Sequence, residues 1–178
     1  AAGRVQVESI DCKEVREQPP LLYDLTSLQK DANTRYGFSA EKTLDIAQTL
    51  YERKYITYPR TGSRYIPDDV AREIPSLLGT LREHSVFGQE AGTELNRRSI
   101  DNRKVTDHHA LLITGVVPTA LSTEERTVYD LIAGRMVEAF GAVCVKDISV
   151  VRLKCAGLEF TARGTVIKSG GWRKVWQE

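Results

Sequence analysis

The spacing of apolar residues predicts helices in the middle of the chain. Residues 22–36 carry apolar side chains at helical spacing, and Gly37 is a suitable helix stop. Ser39 is a preferred N-cap residue and begins a second helix. The apolar stripe of that helix is formed by Leu44, Ala47, Leu50 and Tyr51. Because this helix leads directly into an apolar run at residues 55–58, we expect an extended segment to follow it.

Shorter helices are predicted in the next part of the chain. Residues 67–69 are a proline followed by two aspartates, and they begin a helix that extends to about residue 73. Pro75 either breaks that helix or restarts it. Residues 77–87 are helical again, and residues 88–102 form a polar loop.

Residues 121–140 form the clearest helix of the sequence. Ser122 and Glu125 have the spacing of a capping box, and Gly141 ends the helix. Its buried stripe is formed by Val128, Leu131, Ile132, Met136 and Ala139.

From residue 145 onward the pattern changes from helical spacing to alternation, which is typical of β-strands. Residues 148–155 alternate, Ala156 and Gly157 form a turn, and the alternation resumes at residue 158. The first 15 residues also alternate in part. The predicted fold class is therefore α+β. A mostly helical domain, residues 27–117, is inserted between two β-containing segments, residues 1–26 and 118–178, that belong together.

Composition narrows the kinds of partner that the chain can bind. The 25 basic and 24 acidic residues nearly cancel, which is not the strongly basic balance of an autonomous duplex-binding protein. Any affinity for nucleic acid must therefore come from local clusters of cations. The candidate clusters are Arg53 with Lys54, Arg60 with Arg64, and the group of Arg97, Arg98, Arg103 and Lys104.

The cysteines and the apolar runs argue against disulfide-rich, zinc-binding and membrane-spanning classes of protein. Cys12, Cys144 and Cys155 are odd in number, widely spaced and without a CxxC pair. This argues against a disulfide framework or a zinc site and favours a reducing cytoplasm. No apolar run approaches the roughly 20 residues of a membrane span.

The stretch at residues 55–65 carries the strongest chemical signal. Pro59 disfavours a helical conformation at Tyr58, which we therefore expect in extended backbone where a loop begins. In a strand-like segment, Tyr58 and Arg60 would point to the same side. A potential nucleophile would then lie beside a guanidinium group, which is well shaped to bind a phosphate.

Four motifs together carry a resemblance to a known family. They are residues 19–29, residues 37–52, the tyrosine segment at 55–65, and the sequence Asp-His-His-Ala at 107–110. In this order they resemble type IA DNA topoisomerases. Within that family the chain is most similar to the DNA topoisomerase III branch, which has a proline after the tyrosine and a paired His-His. The similarity extends to the Gly-Trp pair at residues 171–172.

The resemblance implies a fold and a set of site residues. It implies a winged-helix, CAP-like tyrosine domain inserted into a β-rich domain that forms an arch. Tyr58 would be the nucleophile that cleaves one DNA strand and holds its 5′ end. Arg60 would bind the scissile phosphate, and His108, with His109 as the alternative, would bind the phosphate or tune protonation. Thr57, Thr61 and Arg64 would add contacts to DNA.

Two departures from the family pattern stand out. Gly62 occupies a position where many relatives have an acidic residue. The sequence also lacks the Asp-x-Asp cluster with which the family's N-terminal, Toprim-like domain binds Mg²⁺, because Asp68 and Asp69 are adjacent and beside a proline. We therefore expect a central fragment that is inactive alone and binds no metal itself.

The resemblance also implies partners and a location. These are single-stranded DNA, the metal-binding domain of the same protein, and a helicase as a further candidate, in the cytoplasm at the nucleoid. The alternative interpretation is a non-catalytic winged-helix DNA-binding module in which Tyr58 is structural. Tyrosine recombinases are excluded, because they place the nucleophile after their histidine motif, whereas Tyr58 precedes His108.

Overall fold

The computed structural model describes residues 4–85, 87 and 95–176. The described residues divide into two compact units. One combines the stretch that ends at Gln18 with Val143–Gly171, and the other combines Pro19–Ala142 with the stretch from Trp172. This confirms a mixed α+β fold.

The second unit contains all the α-helices of the described residues. They are α1 (Leu25–Tyr36), α2 (Ala40–Glu52), α3 (Asp68–Ala71), α4 (Ile74–His84) and α5 (Thr123–Ala139). The described residues also form two short 3₁₀ helices, Asn102–Lys104 and Gly171–Trp176. None of the helices that the structure describes is long and apolar enough to cross a membrane.

Capping residues determine where the long helices begin. Asp24 forms a capping box with Ser27, so α1 begins at Leu25, three residues later than the sequence predicted. Its C-cap Gly37 has a φ of 69°, the left-handed conformation that glycine adopts most easily. The Ser39 side chain accepts a hydrogen bond at the start of α2, which confirms the predicted cap.

The α3–α4 region decides between the two predicted roles of its proline. Pro75 lies in the first turn of α4, where its missing N–H is not needed, so it helps to begin a new helix, as the second alternative predicted. Helix α4 ends at His84. Residues 88–94 of the predicted polar loop lie outside the described residues.

Helix α5 is the centre of the helical unit. Its capping box between Ser122 and Glu125 is formed as predicted. It packs against α1, α2 and α4 and is buried over most of its surface. This helix therefore belongs with the helical unit. The predicted domain bounds had assigned it, within residues 118–178, to the returning β-containing segment.

A buried polar network ties α5 to α1 and to the chain before it. Arg135 pairs with Asp31 at 2.7 Å and with Glu138 at 2.8 Å. Its guanidinium group also lies over the ring of Tyr23, whose hydroxyl donates to Asp31. Burial raises the pKa of the Tyr23 phenol well above its ordinary value. Tyr23 pairs with Leu111, so this network reaches the backbone that supports the candidate site.

The first unit is a three-stranded antiparallel sheet in the order β1 (Gln6–Glu17), β2 (Cys144–Cys155) and β3 (Leu158–Ser169). The turn between β2 and β3 was predicted correctly. Ala156 and Gly157 have φ values of 49° and 82°, as a two-residue hairpin turn requires. Strand β3 begins at Leu158, where the alternation was predicted to resume.

Candidate active site

The tyrosine segment is a loop whose two ends are fixed on the same neighbouring stretch of chain. Before Tyr58, the N–H of Thr57 donates to the carbonyl of Leu112 at 2.9 Å. After it, the N–H of Ala110 donates to the carbonyl of Tyr65 at 2.9 Å. The loop is therefore held at both ends while its middle can face a ligand.

The ring of Tyr58 is half-buried and contacts two other rings. The imidazole of His108 lies 4.6 Å away, centroid to centroid, at an angle of 51°. The ring of Tyr51 meets it edge to face at 5.3 Å and 74°. The hydroxyl of Tyr58 forms no hydrogen bond with the described residues. It is also not fully buried, because the one fully buried side-chain oxygen or nitrogen without a partner among those residues is Oγ of Ser9. The oxygen of Tyr58 is therefore accessible and has no partner among the described residues.

Arg60 is exposed, and it forms no hydrogen bond or ion pair with any residue that the structure describes. The predicted proximity of Arg60 and Tyr58 assumed a strand, but residues 57–60 form a loop. No hydrogen bond joins the two side chains. Arg60 is a free cation on the same loop as the tyrosine, and is available to an anionic ligand.

The structure distinguishes the two adjacent histidines. His108 is exposed and contacts the ring of Tyr58. The ring of His109 is half-buried, its Nδ1–H donates to the carbonyl of Ala110 at 2.7 Å, and it lines a separate cleft of about 300 Å³. Of the two candidates, His108 is the one beside Tyr58.

The two threonines of the segment use their hydroxyl groups inside the protein. The oxygen of Thr57 accepts from the N–H of Leu112 at 3.0 Å. The buried hydroxyl of Thr61 donates to the carbonyl of His108 at 3.0 Å and accepts from the N–H of Ser63. These bonds shape the loop, and the Thr61 bond fixes the backbone of His108 beside it.

Most of the other candidate cations have internal partners. Arg64 is half-buried, and its Nε–H donates to the carbonyl of Leu22 at 3.1 Å. The ion pairs among the remaining candidates are Arg53 with Glu125, Arg97 with Asp68, and both Arg103 and Lys104 with Asp101. Arg98 donates to the carbonyl of Pro19. These pairings leave Arg60 as the clearest free cation near Tyr58 in the described part of the chain.

The contact between Tyr51 and Tyr58 was not predicted from the sequence. Helical spacing placed Tyr51 in the apolar stripe of α2, but Tyr51 is 38% exposed. The buried face of α2 is formed by Thr43, Ile46, Ala47 and Leu50. Those positions fit helical spacing better, and this signal could have shown that Tyr51 lies beside the apolar face and not on it.

The position of Gly62 has room for a side chain. Gly62 is exposed, and a Cβ atom added there would meet no atom within 4 Å. The absence of an acidic side chain at this position is therefore not imposed by packing.

The described residues do not offer a ligand set for the Mg²⁺ ion that the resemblance implies. No group of three or more His, Cys, Asp or Glu side chains among residues 4–85, 87 and 95–176 could hold a metal ion. Mg²⁺ prefers carboxylate oxygens with octahedral geometry.

Comparison with known proteins identifies the class. A family model described as DNA topoisomerase matches residues 1–178. The chain therefore belongs to the DNA topoisomerase family.

Individual relatives refine this assignment. DNA topoisomerase 3 of Bacillus cereus is 38% identical over 96% of this chain, and that of Bacillus subtilis is 38% identical over 88%. Full-length topoisomerase I of Thermotoga maritima matches 98% of the chain with a TM-score of 0.73 and 27% identity. These findings confirm the predicted resemblance, including its topoisomerase III character. The chain spans about a quarter of the length of the Bacillus relatives (25% and 23%) and 30% of the Thermotoga chain.

Proposed function

We propose that this chain is the tyrosine-bearing part of a type IA DNA topoisomerase of the topoisomerase III type. The observation that carries the proposal is the accessible, unbonded hydroxyl of Tyr58 beside His108, in a chain that matches the family over its whole length. In this proposal, the Tyr58 oxygen attacks the phosphorus of a DNA phosphodiester. An O–P bond to Tyr58 forms as the bond to O3′ breaks, and the phenol gives up its proton while O3′ takes one up, so the step is balanced.

The covalent intermediate explains why no ATP would be needed. The 5′ end of the cleaved strand remains esterified to Tyr58, so the free energy of the broken bond is conserved. Attack by the 3′ hydroxyl then reverses the step and releases the tyrosine. Between cleavage and rejoining, another strand passes through the gap, and the DNA topology changes.

The roles of the neighbouring side chains follow from the energy that cleavage needs. An ordinary phenol is ionised to about one part in a thousand at pH 7, so forming the phenolate costs about 4 kcal/mol. A charged hydrogen bond contributes about 1.5–3 kcal/mol. Arg60 would bind the scissile phosphate and stabilise its developing charge, and His108 would supply a second hydrogen bond. Neither group alone offsets the whole cost.

The other predicted contacts have narrower roles in this proposal. Arg64 keeps guanidinium N–H groups besides its bonded Nε–H and would contact a backbone phosphate. Thr57 and Thr61 would act by shaping the loop, since their hydroxyls are already bonded within the chain.

The substrate would be single-stranded DNA. A backbone phosphate must reach the Tyr58 hydroxyl, and a single strand is flexible enough to enter such a site. The three-stranded sheet would be part of an arch, and the helical unit would be a winged-helix tyrosine domain. Mg²⁺ would be bound by another domain of the same polypeptide, so the 178 residues alone would not relax supercoiled DNA. The protein would act at the nucleoid, and a helicase is a candidate partner.

A chimeric enzyme tests this function. In the chimera, this chain replaces the matching quarter of Bacillus cereus DNA topoisomerase 3. It is incubated with a labelled single-stranded oligonucleotide and Mg²⁺, and covalent adducts are separated on a denaturing gel. We expect adducts with the unaltered chimera and none with Tyr58→Phe, which should still bind DNA.

The same experiment separates the two interpretations of the chain. If Tyr58 is structural in a DNA-binding module, Tyr58→Phe leaves both binding and adduct formation as they were. Tyr65→Phe is a matched control, because Tyr65 is a half-buried tyrosine of the same loop. A folded chimera that binds DNA and forms no adduct contradicts the proposal.

A further inference from the structure

Tyr51 is an aromatic residue in the last turn of α2 whose ring lies outside the buried face of that helix. It lies in the last turn and is 38% exposed, so it does not serve the apolar core. Its ring meets Tyr58 edge to face, with centroids 5.3 Å apart and planes at 74°. This is one of the geometries that aromatic pairs prefer. The hydroxyl of Tyr51 forms no hydrogen bond with the described residues, so the contact is made by the ring alone.

Tyr58 has few other constraints on its orientation. Its hydroxyl has no hydrogen-bond partner among the described residues, and none of the backbone hydrogen bonds between them involves its N–H or carbonyl. Among the described residues, ring contacts are therefore the interactions that the structure shows for its side chain. Tyr51 and His108 provide these contacts.

The end of α2 is itself held firmly, which makes Tyr51 a suitable support. The carbonyl of Tyr51 accepts from the N–H of Lys54 at 2.8 Å, and Lys54 has a φ of 62°, which turns the chain sharply out of the helix. Arg53 pairs with Glu125 of α5 at 2.9 Å. The ring of Tyr51 is thus attached to a fixed point of the helical unit.

We propose that Tyr51 is a positioning residue for the reaction at Tyr58. Its ring limits the rotation of the Tyr58 side chain and keeps the hydroxyl directed to the site of the incoming phosphate. The inference rests on the proposed function, since it assigns Tyr51 a part in strand cleavage. Because small misplacements of a reacting atom slow a reaction strongly, loss of the ring should lower the cleavage rate.

The test measures single-turnover cleavage of an oligonucleotide by the chimera. With Tyr51→Leu we expect the cleavage rate at saturating DNA to fall about tenfold, while the DNA concentration for half-saturation stays within about twofold. With Tyr51→Phe the ring is kept, and we expect the rate to stay within about twofold of the unaltered chimera.

Tyr36→Leu is the matched control. Tyr36 is also at the end of a helix, α1, and is 46% exposed, but its ring faces Phe38 and not the site. This variant should cleave at the unaltered rate. Thermal unfolding of each variant separates a local effect on Tyr58 from a loss of folding.

The outcomes distinguish this inference from the proposed function. If Tyr58→Phe retains the adduct, the proposed function fails. If Tyr58→Phe abolishes the adduct and folded Tyr51→Leu cleaves at the unaltered rate, only the role of Tyr51 is overturned. A loss in Tyr51→Phe as large as in Tyr51→Leu also overturns it, because the hydroxyl and not the ring would then matter.

Discussion

His108 is joined to the loop of Tyr58 in two ways. Its imidazole lies against the Tyr58 ring at 4.6 Å, and its carbonyl accepts a hydrogen bond from Thr61 at 3.0 Å. One contact is made by the side chain and the other by the backbone. The two parts of the chain, about fifty residues apart in sequence, are therefore held as one site.

The first prediction concerns the histidine pair. In the chimera, His108→Ala should lower the rate of oligonucleotide cleavage about 10- to 100-fold, the effect of losing one charged hydrogen bond to the phosphate. His109→Ala is the control, since its ring is bonded to Ala110 and lines a different cleft. It should change thermal stability more than cleavage. A larger loss of cleavage with His109→Ala would assign the role to the other histidine.

The second prediction concerns the free cation. In a Tyr58→Phe background, Arg60→Ala should lower the salt dependence of single-stranded DNA binding by about 0.7 in the slope of log K against log salt, the effect of one lost phosphate contact. Fluorescence anisotropy measures the slope. Arg60 has no bonded neighbour in the described structure, so stability should stay within about 0.5 kcal/mol. Arg103→Ala, which removes a cation already paired with Asp101, should change the slope less. An unchanged slope for Arg60→Ala would remove the proposed phosphate contact.

The third prediction concerns packing on α5. A Cβ atom at Gly134 would lie 2.4 Å from Cζ2 of Trp176, whose ring also contacts Phe87. Gly134→Ala should therefore destabilise the protein by about 1–3 kcal/mol in urea unfolding, although alanine favours helices. Gly79→Ala in α4 is the control, since a Cβ there meets nothing within 4 Å. It should stabilise by about 0.5–1 kcal/mol. Equal effects of the two substitutions would contradict the close packing at Gly134.

The fourth prediction concerns alkaline pH. Burial raises the pKa of Tyr129 to about 12, from an ordinary value near 10. Above pH of about 10 the unfolded chain releases this proton while the folded protein keeps it, so the free energy of unfolding falls as the pH rises. Urea unfolding between pH of about 9 and about 12 should show this loss. Tyr129→Phe should make the decline shallower, and a decline as steep as before would contradict the assignment.

Local sequence signals were sufficient to predict the helix caps and the hairpin turn of this fold. The caps at Ser39 and Ser122 and the turn at Ala156 and Gly157 depend on neighbouring residues, and the structure has all of them. The position of α5 was not predictable in this way. Its packing on α1 and α2, which lie more than 70 residues earlier in the sequence, is a tertiary property that local patterns do not carry.

The candidate site also has features that local motifs predict and features that depend on the tertiary fold. Motif resemblance predicted Tyr58, Arg60 and His108 as site residues, because each lies in a short characteristic stretch. Neither the Tyr51 contact nor the Thr61 hydrogen bond to His108 follows from spacing, since both depend on how a loop folds back on distant chain. The family pattern favoured His108, and the structure adds that its ring contacts Tyr58, whereas the ring of His109 is bonded to the carbonyl of Ala110.

The most direct test of the account is to identify the atom that carries DNA after cleavage. The chimera is trapped with an oligonucleotide, digested with nuclease and trypsin, and analysed by mass spectrometry. The tryptic peptide 55–60 contains both Tyr55 and Tyr58, so fragmentation must assign the nucleotide. We predict a nucleotide on Tyr58. A nucleotide on Tyr55, whose side chain is buried, or on any other residue of an active chimera, would contradict the central claim.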